Sequence, residues 1–185
     1  EKLAERISVV TNAVPSPAGI GPDEIERLRS SLGIRTEAPF ILAAGRLSEQ
    51  KNFHDLILAA SHLRDSGVVF HLVIGGEGEL RGPLENQINT LELQKHIQLP
   101  GMIGNLNQIM QVADIFVMSS LWEGLPLVLL EAMAAGLPTV AFNIPGIDEV
   151  IENRVEGLKV PVSDAGELAT ALSELISNDV RRQEM

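Results

Sequence analysis

The sequence contains no cysteine. Disulfides, zinc–thiolate sites and thiol nucleophiles are therefore excluded. Tyrosine is also absent, and aromatics make up only 3% of residues. That is too few for a surface that stacks single-stranded bases. Positive charge is scarce as well: 14 Lys and Arg stand against 25 Asp and Glu, a net charge of −11. Such a balance argues against nucleic-acid partners, whose phosphates favour a basic surface. No two Asp residues are separated by a single residue, so a paired-aspartate site for a metal–diphosphate is not implied. The histidines, His54, His62, His71 and His96, show no metal-ligand spacing. No G-x-S-x-G elbow presents a nucleophilic serine. No metal or other cofactor is expected. There is no basic-then-apolar leader at Glu1, and the expected location is cytoplasmic. The one long stretch of low charge, Gly124 to Ile147, holds only Glu131, but Pro126, Gly136, Pro138 and Pro145 divide it. It reads as a buried helix and a buried strand, not a membrane span.

What remains is a chain of 185 residues that is 45% apolar. That length suits one domain over residues 1–185, with enough buried surface to hold a core unaided. Short apolar runs recur at Ile7–Val10, Phe40–Gly45, Val68–Gly75, Ile97–Leu99, Ile115–Ser119 and Pro138–Phe142, with a weaker one at Leu158–Val162. Most are continuously apolar, which suits strands covered on both faces. Helical patterns lie between them. Asn52 is an N-cap candidate for a helix to about Asp65, with Gly67 past its end. Further helices are predicted near Asp23–Leu32 and over Leu80–Leu91, Leu106–Ala113, Pro126–Ala135, Gly146–Glu152 and Asp164–Ser177, with Pro126 in a first turn and Gly136 at a C′ position. Strands alternating with helices imply an α/β fold: a doubly wound parallel sheet with helices on both faces.

In such folds ligands sit beyond the carboxyl ends of the strands. Arg46 and Lys51 follow the Phe40–Gly45 strand and stand close to a helix N-terminus. Together they suit an anion: Arg grips phosphate with paired hydrogen bonds, and Lys adds a mobile point charge. The alternative is two solvated cations, one paired with Glu49. Glu131 stands among Leu129, Leu130, Ala132 and Met133. A carboxylate buried there is costly without strong donors. A diol is one such donor; backbone N–H groups or an Arg are the structural alternative. Gly75-Gly76-Glu77-Gly78 only loosely matches a dinucleotide loop: the third position is Arg81, and Glu77 and Glu79 oppose a pyrophosphate. A nicotinamide-dinucleotide site is therefore disfavoured.

These residues together resemble the group 1, or family 4, retaining glycosyltransferases of the GT-B fold. The resemblance covers roughly residues 40–180. It rests on Gly45-Arg46-Leu47 with Lys51, on Gly75-Gly76 with Gly78, and on Ala113-Asp114-Ile115. It continues through Ser119, Ser120 and the run from Glu123 to Ala134, in which Glu123 and Glu131 stand eight positions apart, and through Gly136-Leu137-Pro138, Gly146 and Glu149.

The resemblance implies that this is the donor-binding, C-terminal one of two Rossmann-like domains, with the N-terminal acceptor domain outside the chain. It implies that Arg46 and Lys51, beside Gly45 and Gly76, hold the diphosphate of a nucleoside-diphosphate sugar. Glu131 would accept from the ribose hydroxyls. Glu123, the backbone of Gly124 and Leu125, and the neighbouring Leu127 would meet the sugar and distal phosphate. Met102 and Ile103 would line the base pocket. Arg46, Lys51 and Glu123 are then the catalytic candidates. The acceptor would be a glycan or lipid-linked glycan, any membrane association being made by the missing domain. A noncatalytic nucleotide-binding module is the alternative function. Two departures stand out. Leu125-Pro126 replaces a frequent Phe-Gly, and Pro145-Gly146 a frequent Gly-Gly. The first removes one N–H donor from the loop, and the second stiffens another.

Overall fold

The computed structural model describes residues 13–34 and 38–185. The strand expected at Ile7–Val10 lies outside them. Six strands form one sheet: β1 (Phe40–Ala44), β2 (His71–Gly75), β3 (Ile97–Gly101), β4 (Ile115–Met118), β5 (Thr139–Phe142) and β6 (Gly157–Val160). Their order is β3-β2-β1-β4-β5-β6 and every pairing is parallel. The order reverses between β1 and β4, where connections leave in opposite directions and a crevice opens beyond the strand ends.

The strands are apolar throughout because both faces are covered. β1, β4 and β5 are buried at every residue. Alternate side chains go to opposite sides. Ile41, Ala43, Ile115, Val117, Val140 and Phe142 pack against α2 (Phe53–Asp65), α3 (Arg81–Thr90) and α7 (Ala165–Ile176). Phe40, Leu42, Phe116, Met118 and Ala141 pack against α1 (Pro22–Ser31), α4 (Leu106–Met110), α5 (Leu127–Ala134) and α6 (Pro145–Asp148). Each fully buried Leu, Ile or Phe contributes about 1.5–3 kcal/mol, so the two cores lock the sheet's register and with it the loops at its edge.

Several local expectations are refined. The predicted strand at Val68 begins three residues later, at His71. The helices at Leu106 and Gly146 are shorter than predicted, and a further one, α8 (Asp179–Glu184), follows α7. Asn52 does not cap α2 with its side chain. It sits at φ 47°, in the left-handed region, and its Nδ2 donates to Asp55 Oδ2 at 2.6 Å. Asn tolerates that conformation better than most residues, and that is its use here. Pro126 is the N-cap of α5, one position before the helix. By contrast Asp164 caps α7 in the ordinary way, accepting from the Glu167 N–H at 2.9 Å. Gly136 ends α5 at φ +75°.

Asp114 shows what the Ala113-Asp114-Ile115 word does. Its Oδ2 accepts from the Phe40 N–H at 2.7 Å and from Arg29 Nη2 at 3.4 Å, while Arg29 Nη1 donates to the Val112 carbonyl at 2.9 Å. This cluster pins α1 to the starts of β1 and β4, at the end of the sheet opposite the crevice.

Candidate donor-binding site

The crevice contains a cavity of about 720 Å³. Every site residue named from the sequence except Gly124 lines it: Gly45, Arg46, Lys51, Gly76, Met102, Ile103, Glu123, Leu125, Leu127 and Glu131. They come from the loops after β1, β2, β3 and β4 and from the first two turns of α5.

The β1 and β2 loops approach so closely that glycine is required. At Gly76, φ is +147°, and a Cβ there would lie 1.9 Å from the Gly45 carbonyl oxygen. Only glycine occupies that backbone region readily. The contact brings the Gly45-Arg46 turn to the cavity floor. Gly146 plays a similar part across the crevice, since a Cβ there would meet the Gly124 carbonyl oxygen at 2.1 Å. So α6 packs directly on the loop that carries Glu123.

The two cations behave differently. Arg46 is exposed and makes no hydrogen bond or ion pair among the described residues. The expected alternative, a cation paired with Glu49, does not occur at either position. Lys51 Nζ instead donates to Glu123 Oε1 at 2.5 Å, and the two side chains are only 17% and 9% exposed. Gln50 Nε2 bonds the Trp122 carbonyl at 2.9 Å and lies 3.3 Å from Glu123 Oε2. The Leu121 N–H donates to the Gln50 carbonyl at 2.9 Å, and Ser119 Oγ donates to the Lys51 carbonyl at 2.8 Å. The β1 and β4 loops are thus laced together around one ion pair. Glu123 is no ordinary surface acid.

Glu131 lies in the second turn of α5 and faces the cavity. It is half-buried, less enclosed than its apolar neighbours suggest in sequence. No backbone N–H, Arg or Lys bonds its carboxylate among the described residues. The structural alternative for Glu131 is therefore not what the fold shows. Beside it, the N–H groups of Leu127 and Val128 have no acceptor, being the first amides of the helix. They point a partial positive charge toward the same space.

The rest of the lining is largely apolar. Ile103, Leu106 and the exposed Met102 come from the β3 side, and the exposed Leu127 from the start of α5. The cavity thus joins a cationic floor, an acceptor with open valences and an apolar slot.

Glu77 adds an acid at the rim. Its carboxylate receives Arg81 Nε at 2.9 Å and Nη2 at 2.8 Å, and Arg81 Nη1 also bonds Glu85 at 2.6 Å. The Arg81 guanidinium holds the Glu77 carboxyl below its usual range and is itself held charged. In sequence Arg81 stands where a dinucleotide loop has glycine, but its four-residue spacing from both Glu77 and Glu85 is the pattern of a helical ion-pair cluster. The pair blunts the repulsion that Glu77 would exert on an anion. Arg81→Ala is expected to weaken binding of a nucleoside diphosphate by about two- to fivefold at low salt, the scale of one exposed charge contact. Calorimetry should show the deficit shrinking as salt rises; a deficit independent of salt would assign Arg81 another role.

Among the described residues no group of His, Asp and Glu is arranged to hold a metal ion, and no helix is long and apolar enough to cross a membrane.

Comparison with known proteins places this site in context. Residues 24–185 match the family described as glycosyl transferases group 1, and the chain belongs to that family. Two curated relatives show the range within it. One is the Escherichia coli UDP-Gal:alpha-D-GlcNAc-diphosphoundecaprenol alpha-1,3-galactosyltransferase, 31% identical over 182 residues, covering 95% of this chain and 46% of that protein. The other is the amylovoran biosynthesis glycosyltransferase AmsK of Erwinia amylovora, 35% identical over 182 residues, covering 93% of this chain and 42% of that protein. Among solved structures, Anabaena HepE in complex with UDP superposes with a TM-score of 0.82 at 25% identity, over 89% of this chain and 46% of that one. The chain thus spans less than half the length of these relatives. The fold is the Rossmann-like α/β layer arrangement of the GT-B glycosyltransferases, as the sequence implied.

Proposed function

We propose that this chain is the donor-binding domain of a glycosyltransferase that moves a sugar from a nucleoside-diphosphate sugar to an acceptor with retention of anomeric configuration. The observation that carries the reading is the single cavity that gathers Arg46, Lys51, Glu123 and Glu131 beside the α5 N-terminus. The family resemblance supports retention. It also supports an N-terminal acceptor domain that takes a glycan or lipid-linked glycan.

Each group has a task that follows from its chemistry. Glu131 accepts hydrogen bonds from the two ribose hydroxyls, which supply the donors its carboxylate lacks among the described residues. The base lies in the slot by Met102 and Ile103. Arg46 and Lys51 grip the diphosphate between Gly45 and Gly76. As the glycosidic bond lengthens, negative charge grows on the departing β-phosphate while the sugar becomes oxocarbenium-like. Lys51, Arg46 and the α5 amides stabilise that charge, each charge-assisted bond contributing about 1.5–3 kcal/mol. Glu123 and the Gly124-Leu125 backbone orient the sugar. The cationic floor meets the diphosphate directly, so we propose nucleotide binding without a divalent metal.

A thermal-shift panel of UDP, GDP, ADP and NAD, each with and without EDTA, tests this reading. One nucleoside diphosphate should raise the melting temperature whether or not EDTA is present; ligand at 100 times its dissociation constant adds about 2.7 kcal/mol. Stabilisation by NAD alone would overturn the proposal. Loss of the diphosphate's effect in EDTA would overturn its metal-free part.

A further inference from the structure

A second hollow of about 430 Å³ adjoins the cavity and shares Arg46 with it. Its other walls are Ser48, Glu49, Gln50, Glu79, Leu80 and Trp122. Trp122 is 55% exposed, the largest side chain left open to solvent in a chain poor in aromatics. It is held in place, since its own carbonyl accepts from Gln50 Nε2 and the preceding N–H donates to the Gln50 carbonyl. The indole is therefore presented on a braced loop.

The polar lining is one-sided. Glu49 and Glu79 are exposed, and their carboxylates make no hydrogen bond or ion pair among the described residues. Gln50 has committed its amide N–H groups to Trp122 and Glu123, which leaves its Oε1 as an acceptor. An array of acceptors beside a flat apolar ring suits a ligand that carries O–H donors on its edge and C–H groups on its face. A pyranose ring is such a ligand. An anionic ligand is disfavoured here by the two free carboxylates, so the nucleotide's phosphates stay on the Lys51 side of Arg46.

We infer that this hollow is a sugar subsite in which a hydroxylated pyranose ring stacks on Trp122 and donates hydrogen bonds to Glu49, Glu79 and Gln50. It rests on the reading of the larger cavity as a nucleotide site, because Arg46, the only group common to both, then separates donor phosphates from this ring. The ring is separate from the donor sugar, which stays with Glu123.

Trp122 is the only tryptophan in the chain, so tryptophan emission reports this hollow alone. Methyl α-D-glucopyranoside, methyl α-D-galactopyranoside and glucosamine are titrated separately, with tetramethylammonium chloride as a bare cation. A saturable emission shift with at least one sugar, weakened severalfold by Glu79→Gln, is expected. Saturation-transfer NMR on Trp122→Ala should then show that sugar's signal lost. No shift with any sugar, or a shift with tetramethylammonium alone, would overturn the subsite. So would a sugar signal that survives in Trp122→Ala. UDP, GDP and ADP binding are measured calorimetrically on the same sample. A chain that binds nucleotide but no sugar refutes the subsite alone, whereas one that binds sugar but no nucleotide refutes the nucleotide reading and, with it, the place of this ring beside donor phosphates.

Discussion

Glu131→Gln is expected to lower affinity for the stabilising nucleoside diphosphate by roughly 10- to 100-fold and to leave the melting temperature nearly unchanged. The argument starts from what Glu131 lacks. Its carboxylate faces the 720 Å³ cavity and has no partner among the described residues. Folding therefore gains nothing from its charge, and a neutral amide of the same shape fits the same place. The bound ribose does depend on it. Two hydroxyls donating to one carboxylate make charge-assisted bonds of about 1.5–3 kcal/mol each, and an amide keeps a weaker fraction of that. Each decade of affinity is about 1.4 kcal/mol. The sharp control is the 2′,3′-dideoxy form of the same nucleotide. It should bind the wild-type chain and Glu131→Gln equally. If the variant instead loses stability while its folded fraction binds as before, Glu131 is a structural residue.

The sequence made the fold legible because the strands are buried on both faces. Continuous apolar runs such as Phe40-Ile41-Leu42-Ala43-Ala44 have no polar residue to blur them, and glycines mark their ends. The structure departs from the sequence pattern where local chemistry has two solutions. Asn52 is a good side-chain cap and also a good left-handed residue, and its neighbour Asp55 decided in favour of the second. The site was legible by chain order, since every loop that follows a strand at the switch point contributes to one edge. Pairing across that edge was not legible. Lys51 and Glu123 are 72 residues apart, and only the register of β1 beside β4 brings their loops together. Trp122 gave no signal because exposure is a property of the fold, not of a residue beside an acid.

Lys51→Met carries the larger effect on stability, and it separates two tasks that one side chain combines. Lys51 is both a candidate phosphate ligand and the cation that neutralises Glu123. The substitution keeps the apolar stem and removes the charge. Glu123, 9% exposed, would then retain only the 3.3 Å contact from Gln50. Breaking a buried pair on one side typically costs about 3–5 kcal/mol, and the remaining Gln50 contact places this case near the lower end. For a chain of this size that corresponds to a fall in melting temperature of roughly 6–12 °C. Adding Glu123→Gln removes the stranded charge, so the double variant should recover most of the lost stability. Nucleotide affinity should not follow. The diphosphate still lacks its cation in the double variant, while the bare nucleoside never used it. Calorimetry with the nucleoside diphosphate and its nucleoside should therefore show diphosphate binding reduced in both variants, and nucleoside binding close to wild type in the double variant. If Glu123→Gln restored diphosphate affinity along with stability, Lys51 would act only by holding the β1 and β4 loops together, and the phosphate would rest on Arg46 and the first amides of α5.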